Sequence, residues 1–166
     1  MTRSSLSVKL PKQLIAGRVG VISDTHGLLR PEAERSLAGV DHIIHAGDIG
    51  SQNIVSALAR IAPVTAIRGN VDKAPWTRAY PETARVRFAT RSIFVLHDLK
   101  AMASLPEDCN IVISGHSHVP TFETVNDVLY LNPGSAGRRR FKLPITLALL
   151  EFDQRGIRPR IIDLTS

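Results

Sequence analysis

A single cysteine, Cys109, stands among the 166 residues of this chain. No internal disulfide can form, so the fold rests on its core, and a reducing cytoplasm is the expected setting. Cys109 itself reads as a small core residue rather than a nucleophile. Aromatic residues make up only 5% of the chain, and no interleaving of basic and aromatic residues of the kind that reads nucleic acid is visible. No apolar run approaches the ~20 residues a membrane helix needs, so no membrane partner is expected. Residues 1–17 hold no continuous apolar core of leader length. They read as a short extension, partly disordered, ahead of a single domain over 18–166. Internal repeats and low-complexity tracts are absent.

What is present is ordinary core-forming material, 43% hydrophobic and 22% charged, in a chain long enough to bury a proper interior. The net charge of +6 attracts phosphate-bearing ligands. A nucleic acid is allowed as partner by that charge but not indicated by it.

The apolar run Val19–Ser23 stops at Asp24, and His26 and Gly27 follow. Residues two apart on a strand point to one side, about 7 Å apart along the backbone. Two further runs end alike: Asp41–His45 leads to Ala46-Gly47-Asp48, and Ala62–Ile67 to Arg68-Gly69-Asn70-Val71-Asp72. Helices are expected between them, over Leu28–Gly39 with Pro31 in its first turn, and over Ser51–Ile61 with Ile54, Leu58 and Ile61 at helical spacing. Strands alternating with helices imply a parallel sheet in an α/β fold, with sites at the carboxyl ends of the strands. Lys73–Glu82 reads as a loop in which Trp76 packs.

Later segments change pattern. Hairpins are expected over Arg85–Phe88/Ser92–Leu96, Phe122–Val125/Val128–Leu131 and Ile145–Phe152/Ile157–Leu164, with Pro159 placing the last strand at a sheet edge. A short helix is expected over Leu99–Leu105 and a buried strand over Asn110–Ser114. His97 ends one strand, and Gly115-His116-Ser117-His118 ends another.

Together the strand ends deliver Asp24, His26, Asp48, Asn70, His97, His116 and His118, four of the chain's six histidines among them. Seven oxygen and nitrogen donors exceed what one ion needs. Two ions sharing a carboxylate fit the count, and paired ions about 3.5–4 Å apart are a usual device for hydrolysing phosphate esters.

Ser-Asp-Thr-His-Gly, Ala-Gly-Asp, Arg-Gly-Asn-Val-Asp, the isolated His97 and Gly-His-Ser-His resemble, in order, the motifs of the calcineurin-like metallophosphoesterase superfamily. The Gly-Asn-x-Asp form and Asn132-Pro133-Gly134-Ser135 look like its small prokaryotic phosphodiesterase branch. The resemblance runs from about Val19 to Ser135. It implies a four-layer α/β/β/α sandwich of two mixed sheets, with a metal site at the C-terminal strand ends. It implies that Asp24, His26, Asp48 and His118 hold one divalent ion and that Asp48, Asn70, His97 and His116 hold the other. The activity implied is phosphoester hydrolysis, of diesters before monoesters, by a hydroxide bridging the ions and with no covalent protein intermediate. Mn²⁺ is the expected metal, with Fe, Zn, Ni and Mg as substitutes.

Two departures from the family pattern stand out. Many members carry Gly-Asn-His-Glu, whose histidine is placed to protonate the leaving group, and Val71 occupies that position here. The His-Gly-His common at the fourth motif reads His97-Asp98-Leu99. Asp72 is therefore a candidate for proton transfer or for orienting a ligand. Asn70, Ser135 and Arg138 are candidates for substrate binding. His45 reads either as a partner of Asp48 or as a core histidine satisfied by backbone. Exposed edge strands allow a homodimer. A non-catalytic scaffold on the same fold, as in the retromer subunit that resembles this family, and a nuclease are the alternative functions.

Overall fold

The computed structural model describes residues 16–165. The expected extension over 1–17 thus lies almost wholly outside the described residues. In chain order the elements are β1 (Gly17–Ile22), α1 (Pro31–Ser36), β2 (His42–His45), α2 (Gln52–Ala59), β3 (Val64–Ala66), β4 (Thr83–Phe88), β5 (Arg91–Leu96), β6 (Ile111–Ile113), β7 (Thr121–Val125), β8 (Val128–Asn132), β9 (Thr146–Asp153) and β10 (Gly156–Asp163). Short 3-10 turns cover Pro75–Ala79 and Leu99–Ala101.

The strands form two five-stranded mixed sheets, β10-β9-β1-β2-β3 and β4-β5-β6-β8-β7. In the first, β1, β2 and β3 run parallel, and β9 and β10 close one side antiparallel. In the second, β5, β6 and β8 run parallel between antiparallel edges. Pro159 lies on the edge strand β10 opposite Leu150, where its missing N–H costs no ladder bond on the open side.

Alternation along the strands sorts the apolar residues into layers. Val19, Val21 and Ile44 of the first sheet meet Ile93, Val95, Ile111, Ile113 and Leu131 of the second in a core between the sheets. The other face of the first sheet, with Ile22, Ile43, Leu147 and Leu149, packs on Ala33, Leu37, Ile54 and Leu58 from α1, α2 and the residue after α1. Gly20 lets Leu37 pack close there, since a Cβ would sit 2.3 Å from Leu37 Cδ2 and displace that side chain. The outer face of the second sheet carries a smaller cluster of Leu96, Cys109, Val112 and Val128, with Phe94, Met102 and Tyr130 packed against it. This is the expected four-layer sandwich, and its fourth layer is thin, since the Leu99–Ala101 turn is the only helical element over that face among the described residues.

Several elements are shorter than their sequence patterns predict. The first helix begins at Pro31 rather than Leu28. Just before it, His26 N–H donates to Asp48 O at 3.0 Å and Gly27 N–H to Ile49 O at 2.8 Å, and Leu28 N–H closes a turn on Thr25 O at 2.9 Å, which fixes this stretch against the β2 loop. The predicted helix over Leu99–Leu105 is one 3-10 turn, capped by Asp98 accepting from Lys100 N–H at 3.1 Å. Ser51 caps α2 by accepting from Asn53 N–H. The segment read as a loop contains the Pro75–Ala79 turn, and Trp76 packs there edge-on to Tyr80 and against the helix-side core.

Candidate metal centre

Three parallel strands end at the centre from each sheet: β1, β2 and β3 from the first, β5, β6 and β8 from the second. Asp24, Asp48 and Asn70 follow the first three, and His97 and His116–His118 follow β5 and β6. Asp24, His26, Asp48, His116 and His118 all have φ between 45° and 70°, the left-handed region that non-glycine residues seldom occupy. Such strain persists only where surrounding contacts fix it, and it gathers at functional sites.

Two triads have ligand-capable atoms within 4.8 Å of one another: Asp24, His26 and His118, and Asp48, His97 and His116. The triads touch. Asp48 Oδ2 lies 3.1 Å from His97 Nε2 and 3.6 Å from His26 Nε2. Asp24 Oδ1 lies 3.3 Å from His118 Nε2, 3.7 Å from His26 Nε2 and 3.8 Å from His97 Nε2. Asn70 is exposed at the mouth, where its Oδ1 accepts from His116 Nδ1 at 3.2 Å.

Neighbours fix these groups. Asp24 Oδ2 accepts from the Ser23 hydroxyl at 2.7 Å and from His116 N–H at 3.1 Å. Asp48 Oδ1 accepts from Val71 N–H at 3.1 Å. His97 donates from Nδ1 to Ala46 O at 2.7 Å, which aims its bare Nε2 at Asp48. The backbone passes so close that only glycine fits twice. A Cβ at Gly69 would lie 2.2 Å from Asp48 Oδ1, and one at Gly115 would lie 2.7 Å from Asp24 Oδ2.

Burial opposes the charge on Asp24, but bonds from His118, His26 and Ser23 outweigh it and hold the carboxyl far below the usual carboxylate range. The Asp24 carboxylate raises His26 against the opposing effect of burial. Burial lowers His97, yet Asp48 and the Ala46 carbonyl carry it above its ordinary value. A field that favours protons on these rings favours a metal cation equally.

A sharper test of fit comes from unpaired atoms. Asp24 Oδ1, His26 Nε2, His97 Nε2 and His118 Nδ1 are the buried side-chain polar atoms without a hydrogen-bond partner among the described residues. All four belong to the strand-end set. Leaving such an atom unsatisfied costs about 1–3 kcal/mol, and a bound cation would relieve it. The residues present fit divalent metal.

Residues 18–155 match the calcineurin-like phosphoesterase superfamily domain. This chain belongs to the calcineurin-like phosphoesterase superfamily. A probable metallophosphoesterase of Methanothermobacter thermautotrophicus is 33% identical over 144 residues, covering 79% of this chain and 84% of the relative. A solved archaeal phosphodiesterase superposes with a TM-score of 0.72 at 25% identity, covering 87% of this chain and 99% of that one. Vacuolar protein sorting 29 of Cryptosporidium parvum reaches the same TM-score at 20% identity, over 89% and 97% of the two chains. That last likeness is one of fold alone. Metal-dependent phosphoester hydrolysis is the activity that family membership and the ligand groups support.

In this phosphoesterase the remaining sequence-predicted residues fall in unequal places. Asp72 is buried, and its carboxylate accepts from three backbone N–H groups: Gly69 at 2.8 Å, Ile49 at 3.0 Å and Gly50 at 3.2 Å. It clamps the β3 loop to the β2 loop. Both of its oxygens are engaged by backbone, an arrangement that fits the orienting role of the two expected for it. Ser135, expected at substrate, is 3% exposed and donates to Asp24 O at 3.0 Å. Its hydroxyl hydrogen is engaged in supporting the Asp24 turn. His45 is fully buried. Its Nε2 pairs with the Thr25 hydroxyl at 2.9 Å, and its Nδ1 accepts from Gly47 N–H at 3.2 Å. It therefore braces the loop that carries Asp48 rather than the Asp48 carboxylate. Burial pushes its pKa down to about 4.

Arg138 is exposed, as are Arg139 and Arg140, and Arg140 is the arginine whose charge reaches His26. Val71 is 51% exposed and brings no proton donor to the mouth.

Sequence reasoning missed two supports. Ser23 was read only as the end of a strand. Asn132 figures in the sequence only as the first residue of the Asn-Pro-Gly-Ser motif, but its amide donates to Gly115 O at 2.8 Å and Ser117 Oγ at 3.1 Å, holding the histidine-bearing loop. The signal for both was adjacency to a ligand motif, where a polar side chain next to a fixed loop is usually engaged.

Proposed function

We propose that this chain hydrolyses phosphodiesters with two divalent ions held side by side between the six strand ends. Asp24, His26, Asp48 and His118 would hold one ion, and Asp48, Asn70, His97 and His116 the other. The observation that carries this reading is the set of four unpartnered buried atoms, three in the first group and one in the second. Asp48 suits the shared position, because Val71 N–H engages only Oδ1 and Oδ2 faces both His26 and His97. Mixed oxygen and nitrogen donors suit Mn²⁺, and Fe, Zn, Ni or Mg compete according to availability. Bound there, such ions make a coordinated water reactive near neutral pH and offset charge on the phosphoryl oxygens.

The protein's part is placement. Asn70, at the mouth, offers its amide N–H to a phosphoryl oxygen, and Arg140 adds positive charge beside His26. No side chain at position 71 protonates the leaving alcohol, so esters of acidic alcohols should react fastest. A cytoplasmic setting suits the one buried thiol.

The test is hydrolysis of bis(p-nitrophenyl) phosphate. Mn²⁺-loaded protein should cleave it faster than p-nitrophenyl phosphate, lose activity to a chelator and regain it with Mn²⁺. Loaded protein that cleaves neither ester would sink the proposal.

A further inference from the structure

The thin fourth layer leaves a groove of about 820 Å³ on the outer face of the second sheet. We propose that this groove receives the non-leaving alcohol of the diester, and that it suits a flat ring system of nucleoside size carrying hydroxyl or N–H donors. The inference rests on the hydrolytic reading above and names the substrate class for that same site.

Continuity is the first argument. His116 lines the groove and also belongs to the second triad. Asp98 Oδ2, at the same end, lies 3.8 Å from His116 Nε2. The groove therefore adjoins the second triad, within reach of one substituent of a phosphorus atom bound there.

Size and surface are the second. The volume falls within the roughly 300–1,000 Å³ of small-molecule sites, far more than a phosphoryl group needs. The floor includes the cross-strand pair Glu123 and Tyr130 of β7 and β8. Tyr130 is half-buried against the outer cluster, which holds its ring as a platform for stacking. Leu99, 41% exposed, forms an apolar wall. Lys100, beside it, offsets the charge a diester carries.

Unspent polar groups are the third. Among the described residues the Glu123 carboxylate and the Tyr130 hydroxyl make no hydrogen bond or ion pair. Glu123, Asp98 and Tyr130 all accept hydrogen bonds, which selects a ligand with donors over a plain hydrocarbon. A monoester undergoing hydrolysis has no non-leaving alcohol to place here, so the groove also gives the diester preference a physical source.

The test uses two diesters with one leaving group, thymidine 5′-(p-nitrophenyl phosphate) and methyl p-nitrophenyl phosphate. Wild-type protein loaded with Mn²⁺ should show a kcat/KM about tenfold or more higher for the thymidine ester, carried by KM, as expected for one stacked ring. Tyr130→Leu, which keeps bulk, and Glu123→Gln, on an exposed edge strand, should narrow that ratio by slowing the thymidine ester. A wild-type ratio near one, or a ratio that neither variant changes, overturns the groove while leaving hydrolysis standing. Calorimetric binding of thymidine 5′-monophosphate against methyl phosphate reads the groove without turnover. A thymidine preference lost in both variants supports the groove even where neither diester is cleaved, and the hydrolytic reading alone then fails.

Discussion

The two sheets serve one centre by different means. Strand ends of the first supply mostly oxygen, from Asp24, Asp48 and Asn70. Those of the second supply imidazole nitrogen, from His97, His116 and His118. Both carboxylates are locked. Asp24 is held by Ser23, the His116 N–H and the Ser135 bond to its carbonyl, and Asp48 by the Val71 N–H. The histidines are graded instead. His97 and His118 are buried, at 6% and 3% exposure, while the His116 side chain is 45% exposed. The outer surfaces differ in the same sense, with α1 and α2 covering the first sheet and one 3-10 turn the second. One sheet is built to fix positions, and the other keeps an open face beside the chemistry.

The comparison breaks most directly at Asp48. Asp48→Asn removes the charge that faces His26 of one triad and His97 of the other, so under the two-ion proposal metal binding and turnover should fall by more than about a hundredfold, beyond the usual loss for a supporting group. Metal content after gel filtration, with diester hydrolysis, measures this. Near wild-type values for both would mean that Asp48 is not shared.

Within the imidazole half, burial should rank the losses. His97→Ala strips a buried nitrogen from Asp48 and should weaken Mn²⁺ by roughly a hundredfold, whereas His116→Ala should cost about tenfold. Competition against a chromophoric chelator reads both, and the reverse ranking would contradict the grading.

Asp72→Asn sharpens the idea of a locked first sheet without touching a ligand. One acceptor oxygen is lost from a clamp of three backbone N–H groups. Metal affinity should fall about tenfold, and stability by about 1–3 kcal/mol, seen in urea unfolding of the metal-free protein. Unchanged affinity would show that the clamp is merely structural.

Much of this plan was legible in the sequence because parallel strands buried on both faces read as apolar runs, and the runs of β1, β2, β3, β5 and β6 lead to Asp24, Asp48, Asn70, His97 and His116, with glycine close by in all but the β5 case. Helix lengths were not legible. The helix expected from Leu28 starts late because His26 and Gly27 donate to the β2 loop, a contact over twenty residues away in the chain, and Leu28 closes a turn on Thr25. The fates of Asp72 and Ser135 were hidden for the same reason. A polar residue near a motif can face a ligand or a distant backbone group, and only the tertiary arrangement decides. The bare outer face of the second sheet was equally unreadable, since Leu99–Leu105 has the pattern of a covering helix and forms a single turn.

Another effect that leaves the ligands themselves untouched concerns His45, which braces the first sheet's Asp48 loop. Its folded pKa of about 4 lies below the ordinary 6.5, so the unfolded chain takes up the proton first as pH falls. Stability is fully present above about 6.5 and declines toward 4, by up to about 1.4 kcal/mol per unit. Denaturant unfolding of metal-free wild type and His45→Gln at pH 7 and 5 isolates this, because contributions from His26 and His97 are common to both. An equal acid-side loss in the two proteins would contradict it.

The central claim is that two ions sit between the sheets, one largely on each triad. Metal analysis of wild-type protein titrated with Mn²⁺ and freed of excess addresses it directly. Two equivalents per chain are expected, and a saturating value of one or none would rule out the paired site.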